Sequence, residues 1–378
     1  MGVLGTAKIA RQWIRDLQDC GAVQIVAVAS RSDAAAQAFA QEYSLPRWHG
    51  SYEALLVDPD VDAVYIPLPN SLHATWAIAA ARQGKHVLCE KPLAMNEADI
   101  QRMIDTMAEA GLMFFTGFTY RFGGSAQEIH RLVRSKVIGE IRGLRLVYLW
   151  NLHGKWSWNE RGDRQASPLR VGRMLEGGPL VDCGVHQIDL ARWWLGSEVE
   201  WQRGLGVWVE DYVAPDHVYL HMGHACGAHT MVEMSFSYNA TSREPRSHFQ
   251  YELIGTDGVI RYNREEHSFE LRNSHGTQWL AWHPEKNFAG MYAEFSHALS
   301  TGQARNMPTA RDGLLATRIA RQATEEAIRD RERSSLAHPS TLARAEPTNA
   351  VAAHSPLDAE DVDETLFESN LALETTES

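Results

Sequence analysis

No apolar run in this chain approaches the ~20 residues that cross a bilayer, and no charged leader followed by an apolar stretch opens it. Both absences point to a chain of the cytoplasm, with no membrane partner. Cysteine is scarce: Cys20, Cys89, Cys183 and Cys226 form no CxxC pair, which argues against a disulfide framework and suits reduced, mostly buried thiols. An excess of basic charge is also missing. The formal net charge is -12, which argues against nucleic acid, whose phosphates demand a basic face. Nine acids against Arg344 between Pro339 and Ser378 supply -8 of this, leaving -4 for the body. That stretch reads as an acidic, disordered tail, in which Leu366, Phe367, Leu371 and Leu373 form one apolar patch able to dock on a partner subunit. What remains is ordinary for a globular protein, at 44% hydrophobic and 22% charged residues. A length of 378 residues exceeds the ~250 at which single cores stop growing, so two domains with a cleft between them are expected.

The first third alternates strand and helix, the pattern of a parallel sheet. Residues 1–4 read as a short strand that turns through Gly5 into a helix with an apolar stripe at Ile9, Ala10, Trp13, Ile14 and Leu17. This is a dinucleotide turn in altered form, with Ala7 where a second glycine is usual. Backbone N–H groups of Thr6, Ala7, Lys8 and Ile9 would hold a pyrophosphate at the helix start. The second strand, 24–29, runs into Ser30 and Arg31. An acid there would bind the ribose hydroxyls of NAD, whereas an Arg accommodates a 2′-phosphate, so Ser30 and Arg31 favour NADP over NAD; Asp33 keeps NAD open. Strand 63–66 ends in Pro67-Leu68-Pro69-Asn70, which keeps backbone extended beside a ligand; Asn70 either contacts the cofactor or caps the next helix. Strand 85–89 then ends abruptly in Glu90-Lys91-Pro92. Strand carboxyl ends face the ligand crevice in open α/β sheets, so Lys91 is the leading catalytic candidate, against the plainer reading of a solvated strand end. Helix 97–109 and strand 113–116 complete a domain over residues 1–117.

Farther on, Gly177-Gly-Pro-Leu-Val-Asp-Cys-Gly-Val-His-Gln-Ile-Asp189 opens a helix through Leu195. Asp182 and His186, four apart, would share one helical face. There an Asp fixes the His tautomer and raises its basicity, or serves only as an N-cap. Together with Gly5-Thr-Ala-x-Ile-Ala10, Pro69-Asn-Ser-Leu-His73 and Glu90-Lys-Pro92, this motif resembles the glucose-fructose oxidoreductase/inositol dehydrogenase (Gfo/Idh/MocA) family over roughly residues 1–330. The resemblance implies an α/β Rossmann domain followed by an α+β domain with a large, mainly antiparallel open sheet, through which homodimers or homotetramers form. It implies an NAD(P)-dependent enzyme moving a hydride to or from a hydroxyl or carbonyl carbon of a sugar, cyclitol or related polyol. Lys91, Asp182 and His186 would be catalytic, with Glu90 and His73 near the nicotinamide ribose. Relatives that break glycosidic bonds by transient oxidation with tightly held NAD, and non-catalytic nucleotide sensors, are the alternatives. The acidic tail lies outside the family pattern, and the four residues before Gly5 make a shorter first strand than usual.

In the second domain, expected over 118–333, Tyr120 and Arg121 either bond substrate hydroxyls or form a buried Tyr and an interdomain salt bridge. Trp156 and Trp158, in a loop reaching Arg173, either line a sugar pocket or pack on the sheet. His217, His221, His224, Cys226 and His229 fit no zinc spacing and read as a hairpin, so no metal is expected. The last helices are expected over 291–300 and 310–329, and the tail over 334–378.

Overall fold

A computed structural model describes residues 1–17, 23–151, 156–158, 164–238 and 246–337, with the backbone alone at 156–158, 164–166 and 335–337. The chain divides into two compact units, Met1–Arg331 and Glu332–Ser378. In the second, only the helical stretch 332–337 lies within the described residues, and the acidic tail lies outside them.

The first unit begins with β1 (Gly2–Leu4), α1 (Lys8–Leu17), β2 (Ala27–Ala29), α2 (Asp33–Glu42), β3 (Arg47–His49), α3 (Tyr52–Leu56), β4 (Ala63–Ile66), α4 (His73–Arg82), β5 (His86–Cys89), α5 (Glu97–Glu109) and β6 (Phe114–Thr116). Every strand pair is parallel, in the order β3-β2-β1-β4-β5-β6. Central strands buried on both faces read as unbroken apolar runs, which is why Ala-Val-Tyr-Ile at 63–66 is buried throughout. Side chains of Ser32, Ser51 and Asn96 accept the N–H of Ala35, Ala54 and Asp99 and start α2, α3 and α5, each cap stabilising by about 1 kcal/mol. The strand order reverses between β1 and β4, and that switch point opens the ligand crevice.

The chain continues through α6 (Gly124–Arg134), β7 (Ile141–Leu149), β8 (Trp156–Trp158), β9 (Arg164–Ala166), α7 (Pro168–Leu175), α8 (Val185–Leu195), β10 (Val199–Val207), β11 (His217–His224), β12 (His229–Ser235), β13 (His248–Gly255), β14 (Gly258–Asn263), β15 (Ser268–Asn273), β16 (Gly276–Trp279), α9 (Phe288–Thr301) and α10 (Ala310–Ala337). An eight-stranded sheet runs β10-β11-β12-β7-β13-β14-β15-β16, antiparallel except where β12 lies parallel to β7. Strand side chains alternate between faces. Val218, Leu220, Met222, Val232, Met234, Leu144, Leu146, Tyr251 and Leu253 pack with α8 residues in one core, while the opposite face exposes Trp201, Leu205, Val207, Met231 and Ile254.

Two departures from the expected boundaries have physical causes. Helix α9 returns to the first sheet: Phe288, Met291, Tyr292 and Phe295 pack with Val3, Trp13 and Tyr65, and the Tyr292 hydroxyl donates to the Val23 carbonyl at 2.8 Å. Residue 117 is thus where the chain leaves the first sheet, not where that sheet's cover is complete. Helix α10 runs past Arg329 to Ala337, because no Gly or Pro interrupts the chain before Pro339. Among the described residues no helix is long and apolar enough to cross a membrane.

Candidate active site

The nucleotide end is built by backbone. Gly5 sits at φ +109°, where L side chains are strained, and a Cβ there would lie 2.9 Å from Leu68 Cδ2. Its N–H donates to the Ala29 carbonyl at 2.8 Å, tying the turn to β2. The first helical hydrogen bond runs from Arg11 N–H to Ala7 O at 3.1 Å, so the N–H groups of Lys8, Ile9 and Ala10 precede the ladder at the positive end of α1. This cradle fits a dinucleotide pyrophosphate. Beyond β2, Ser30 Oγ accepts from Ser32 N–H at 3.3 Å, and Arg31 is exposed at the strand end.

The loop after β4 is held from behind. Asn70 opens a short 3₁₀ turn, Asn70–Leu72, without a side-chain cap. Its Nδ2 instead donates to Glu176 Oε2 at 2.9 Å, which overturns the N-cap reading. His73 is fully buried, with Nδ1 3.0 Å from Pro92 O and Nε2 2.7 Å from Leu68 O. It fastens the Leu68 loop to the segment after Lys91. Direct contact with a ribose is not available to a ring enclosed in this way. Burial pushes its pKa down to about 4 against the pull of these carbonyls, so the ring is neutral and donates to only one of them.

At the end of β5, Glu90 Oε1 accepts from the Tyr65 hydroxyl at 2.7 Å. Burial raises the Glu90 pKa, opposed by that hydrogen bond and by Lys91. Lys91 Nζ crosses to the second sheet's side and donates to Asp182 O at 2.6 Å and Asp182 Oδ1 at 3.3 Å. Arg173 Nη1 stands 3.8 Å from the same Oδ1 and 2.8 Å from Glu176 Oε2. Burial presses the Asp182 carboxyl upward, but Lys91 and Arg173 outweigh it and hold the pKa at about 2. For Lys91, burial is the largest single influence and acts downward, but Asp182, Cys183 and Glu90 together outweigh it, for a net rise. The ammonium therefore stays charged at neutral pH.

His186 is buried, and among the described residues its Nδ1 has no hydrogen-bond partner. Burial first, then Lys91 and Lys286, push its pKa well below the ordinary value, with Asp182 pulling weakly the other way. Among the described residues no hydrogen bond joins Asp182 to His186, although the Asp182 charge still acts on the ring. Within the π-helical turn Leu180–Gly184, the Asp182 oxygens accept from Lys91 and from Cys183. Asp182 belongs to Lys91, and His186 lies against aromatic rings. Tyr120 stacks on it at 4.0 Å and 7°, and Phe118 meets it edge-on at 5.7 Å.

Arg121 follows the salt-bridge reading. Its Nε and Nη2 donate to the two Asp189 oxygens at 2.7 and 2.5 Å, with Asp312 3.4 Å away, which commits the guanidinium to protein carboxylates rather than to substrate. The Trp156 and Trp158 side chains lie outside the described residues. Arg173, Glu176 and Lys286 were not singled out from the sequence. Arg173 and Glu176 were hidden in a stretch that reads as loop, although Pro168 at the first turn of α7 was a usable start signal; Lys286 carries no sequence signal. Among the described residues no group of three or more His, Cys, Asp and Glu is placed to hold a metal. The His-rich stretch is the β11–β12 hairpin. Cys89 and Cys183 are buried, Cys226 is exposed, and Cys20 lies outside the described residues.

Known proteins resemble this chain in both sequence and fold. Residues 1–118 match a model described as an oxidoreductase family with an NAD-binding Rossmann fold, and residues 126–261 match the GFO/IDH/MocA C-terminal domain. The chain is 33% identical over 272 residues to D-xylose 1-dehydrogenase (NADP(+)) 2 of Haloferax volcanii, covering 69% of this chain and 75% of that one. It is 30% identical over 315 residues to dTDP-3,4-didehydro-2,6-dideoxy-alpha-D-glucose 3-reductase of Streptomyces antibioticus, covering 80% and 89%. A levoglucosan dehydrogenase solved with NADH and levoglucosan shares the fold at a TM-score of 0.72 and 22% identity, over 87% of this chain and 96% of that one. With a nucleotide-binding parallel sheet, the mainly antiparallel second sheet and relatives named as dehydrogenases and reductases, the chain belongs to the GFO/IDH/MocA family of NAD(P)-dependent oxidoreductases acting on CH–OH groups.

Proposed function

We propose that this chain transfers a hydride between NADP, or less well NAD, and a hydroxyl or carbonyl carbon of a sugar, cyclitol or related polyol. The nicotinamide, when bound, supplies the hydride acceptor or donor. Everything else falls to the side chains. In oxidation, His186 takes the hydroxyl proton, and in reduction it returns it. Nδ1 is sealed without a partner, which leaves Nε2 for that transfer. A pKa held low by burial keeps the ring unprotonated at neutral pH, but also makes it a weak base. Lys91 offsets this by donating to the substrate oxygen and stabilising its developing negative charge. Asp182 keeps the Lys91 ammonium charged and aimed.

The observation that supports this reading most is the bond from Lys91 Nζ, at the end of β5, to Asp182 in the π-turn that leads into the His186 helix. It supports a site in which one charged donor and one neutral acceptor act on the same substrate oxygen. Residues 1–117 would hold the nucleotide through Gly5, Thr6, Ala7, Lys8, Ile9, Leu68, Asn70 and Glu90. Residues 118–333 would hold the substrate and, through the exposed sheet face, a second copy of the chain. For the cofactor, the relatives divide between NADP(+) and NADH in their names, and Ser30 with Arg31 favours the 2′-phosphate. The test is turnover of Lys91→Ala and His186→Ala on an active sugar or cyclitol. Each should fall by about 10²- to 10⁴-fold while NADP affinity stays near wild type; near-normal turnover in both would sink the assignment.

A further inference from the structure

A catalytic histidine commonly takes its orientation from a hydrogen bond at the nitrogen that does not react. Among the described residues His186 has none: its Nδ1 is buried without a partner, and the Asp182 oxygens are occupied by Lys91 and Cys183. Something else must hold the ring. Tyr120 lies flat on it, with centroids 4.0 Å apart and planes 7° from parallel, and Phe118 closes the edge at 5.7 Å. Phe249 in turn braces Tyr120 edge-on at 5.9 Å. Arg121, next in the chain to Tyr120, grips Asp189, one turn after His186, through two hydrogen bonds. The segments that carry the two rings are therefore tied to each other.

Resting on the reading of His186 as the proton-transfer group, we propose that Tyr120 is its positioning residue, acting through its ring face rather than through its hydroxyl. Aromatic stacks of this kind are directional, and a small misplacement of a reacting group costs rate steeply. Tyr120 also keeps water from the imidazole. Burial is the leading cause of the low His186 pKa, ahead of Lys91 and Lys286, with Asp182 acting in the opposite sense. Removing the ring should therefore let the His186 titration rise toward its ordinary range.

The experiment compares Tyr120→Phe, which keeps the stack, with Tyr120→Leu, which removes it. Turnover and NADP affinity are measured, and the His186 ring protons are followed by NMR across pH without substrate. Tyr120→Leu should lower kcat by about 10- to 100-fold, leave NADP affinity unchanged and shift the His186 titration upward. Tyr120→Phe should stay close to wild type in all three. Loss of turnover in Tyr120→Phe equal to that in Tyr120→Leu, with a raised substrate KM, would overturn the proposal in favour of a hydroxyl contact to substrate. An unshifted His186 titration in Tyr120→Leu would overturn it as well. Should Tyr120→Leu fail to fold, the wild-type spectrum decides: upfield ring-current shifts of the His186 protons that are retained in Tyr120→Phe support the stack, and ordinary shifts refute it. The NMR arm needs no turnover, so it stands or falls separately from the polyol assignment.

Discussion

At the scale of single residues, the side chains found by motif make contacts that their spacing did not indicate. Lys91 bonds Asp182, four residues before His186, and its charge acts on the His186 ring. Which group each one leans on was not legible, because Lys91 reaches Asp182 and Tyr120 reaches His186 from segments far away in sequence. His73 is a second case. The motif suggested contact with the cofactor, whereas the ring is enclosed between two carbonyls. Its pKa falls from 6.5 unfolded to about 4 folded. Below pH 6.5 the unfolded chain therefore binds a proton that the folded ring does not, so stability present at neutral pH is lost as pH falls toward 4. The loss is roughly 3 kcal/mol, and His186 contributes in the same direction. Urea unfolding at neutral and mildly acidic pH should show this drop in wild type and a smaller one in His73→Asn; equal drops would contradict it. Arg31 offers a separate test. A charge-assisted contact to the 2′-phosphate is worth about 1.5–3 kcal/mol, so Arg31→Ala should weaken NADP binding by roughly 10- to 100-fold and leave NAD little changed. Binding titration with both nucleotides decides.

At the scale of elements, strong apolar periodicity and clear caps made the first domain readable. Helix α5 ends where its pattern ends, at Glu97 and Glu109, and the β11–β12 and β13–β14 hairpins follow their turn residues. Elements without such signals were not legible. Strand β16, Gly-Thr-Gln-Trp, is exposed along its whole length, and its pairing with β15 depends on the neighbouring edge rather than on its own side chains. Helix α9 carries apolar residues but nothing that says which sheet they cover. The buried ion pair between Arg121 and Asp189 fixes the segment after β6 to α8, with Arg192 and Asp312 3.3 Å apart beside it. Asp189→Ala would strand a buried guanidinium, which costs about 3–5 kcal/mol. The urea midpoint should fall accordingly, and a loss below about 1 kcal/mol would show that Asp312 alone suffices.

At the scale of the whole molecule, the two sheets divide the work. The parallel sheet gives its crevice to the nucleotide, and the mainly antiparallel one gives its inner face to the core and leaves its outer face uncovered. On that outer face Leu205 stands opposite Tyr219, Tyr219 opposite Glu233, and His221 opposite Met231. Apolar groups thus alternate with ion-pairing ones such as Arg145 with Glu233, and whether this face meets a second copy is decided by the mass of the protein in solution. Sedimentation should give a dimer or tetramer mass for wild type and a smaller mass for the double variant Leu205→Glu, Met231→Glu. A wild-type monomer would refute the assignment of this face. The central claim, redox chemistry on a polyol by Lys91 and His186, is tested most directly by reduced-nicotinamide absorbance. Wild type and His186→Ala are each given a panel of sugars and cyclitols with NADP and with NAD. The account predicts steady accumulation of NADPH with at least one polyol in wild type and its near loss in His186→Ala; nucleotide binding without any accumulation across the panel would contradict it.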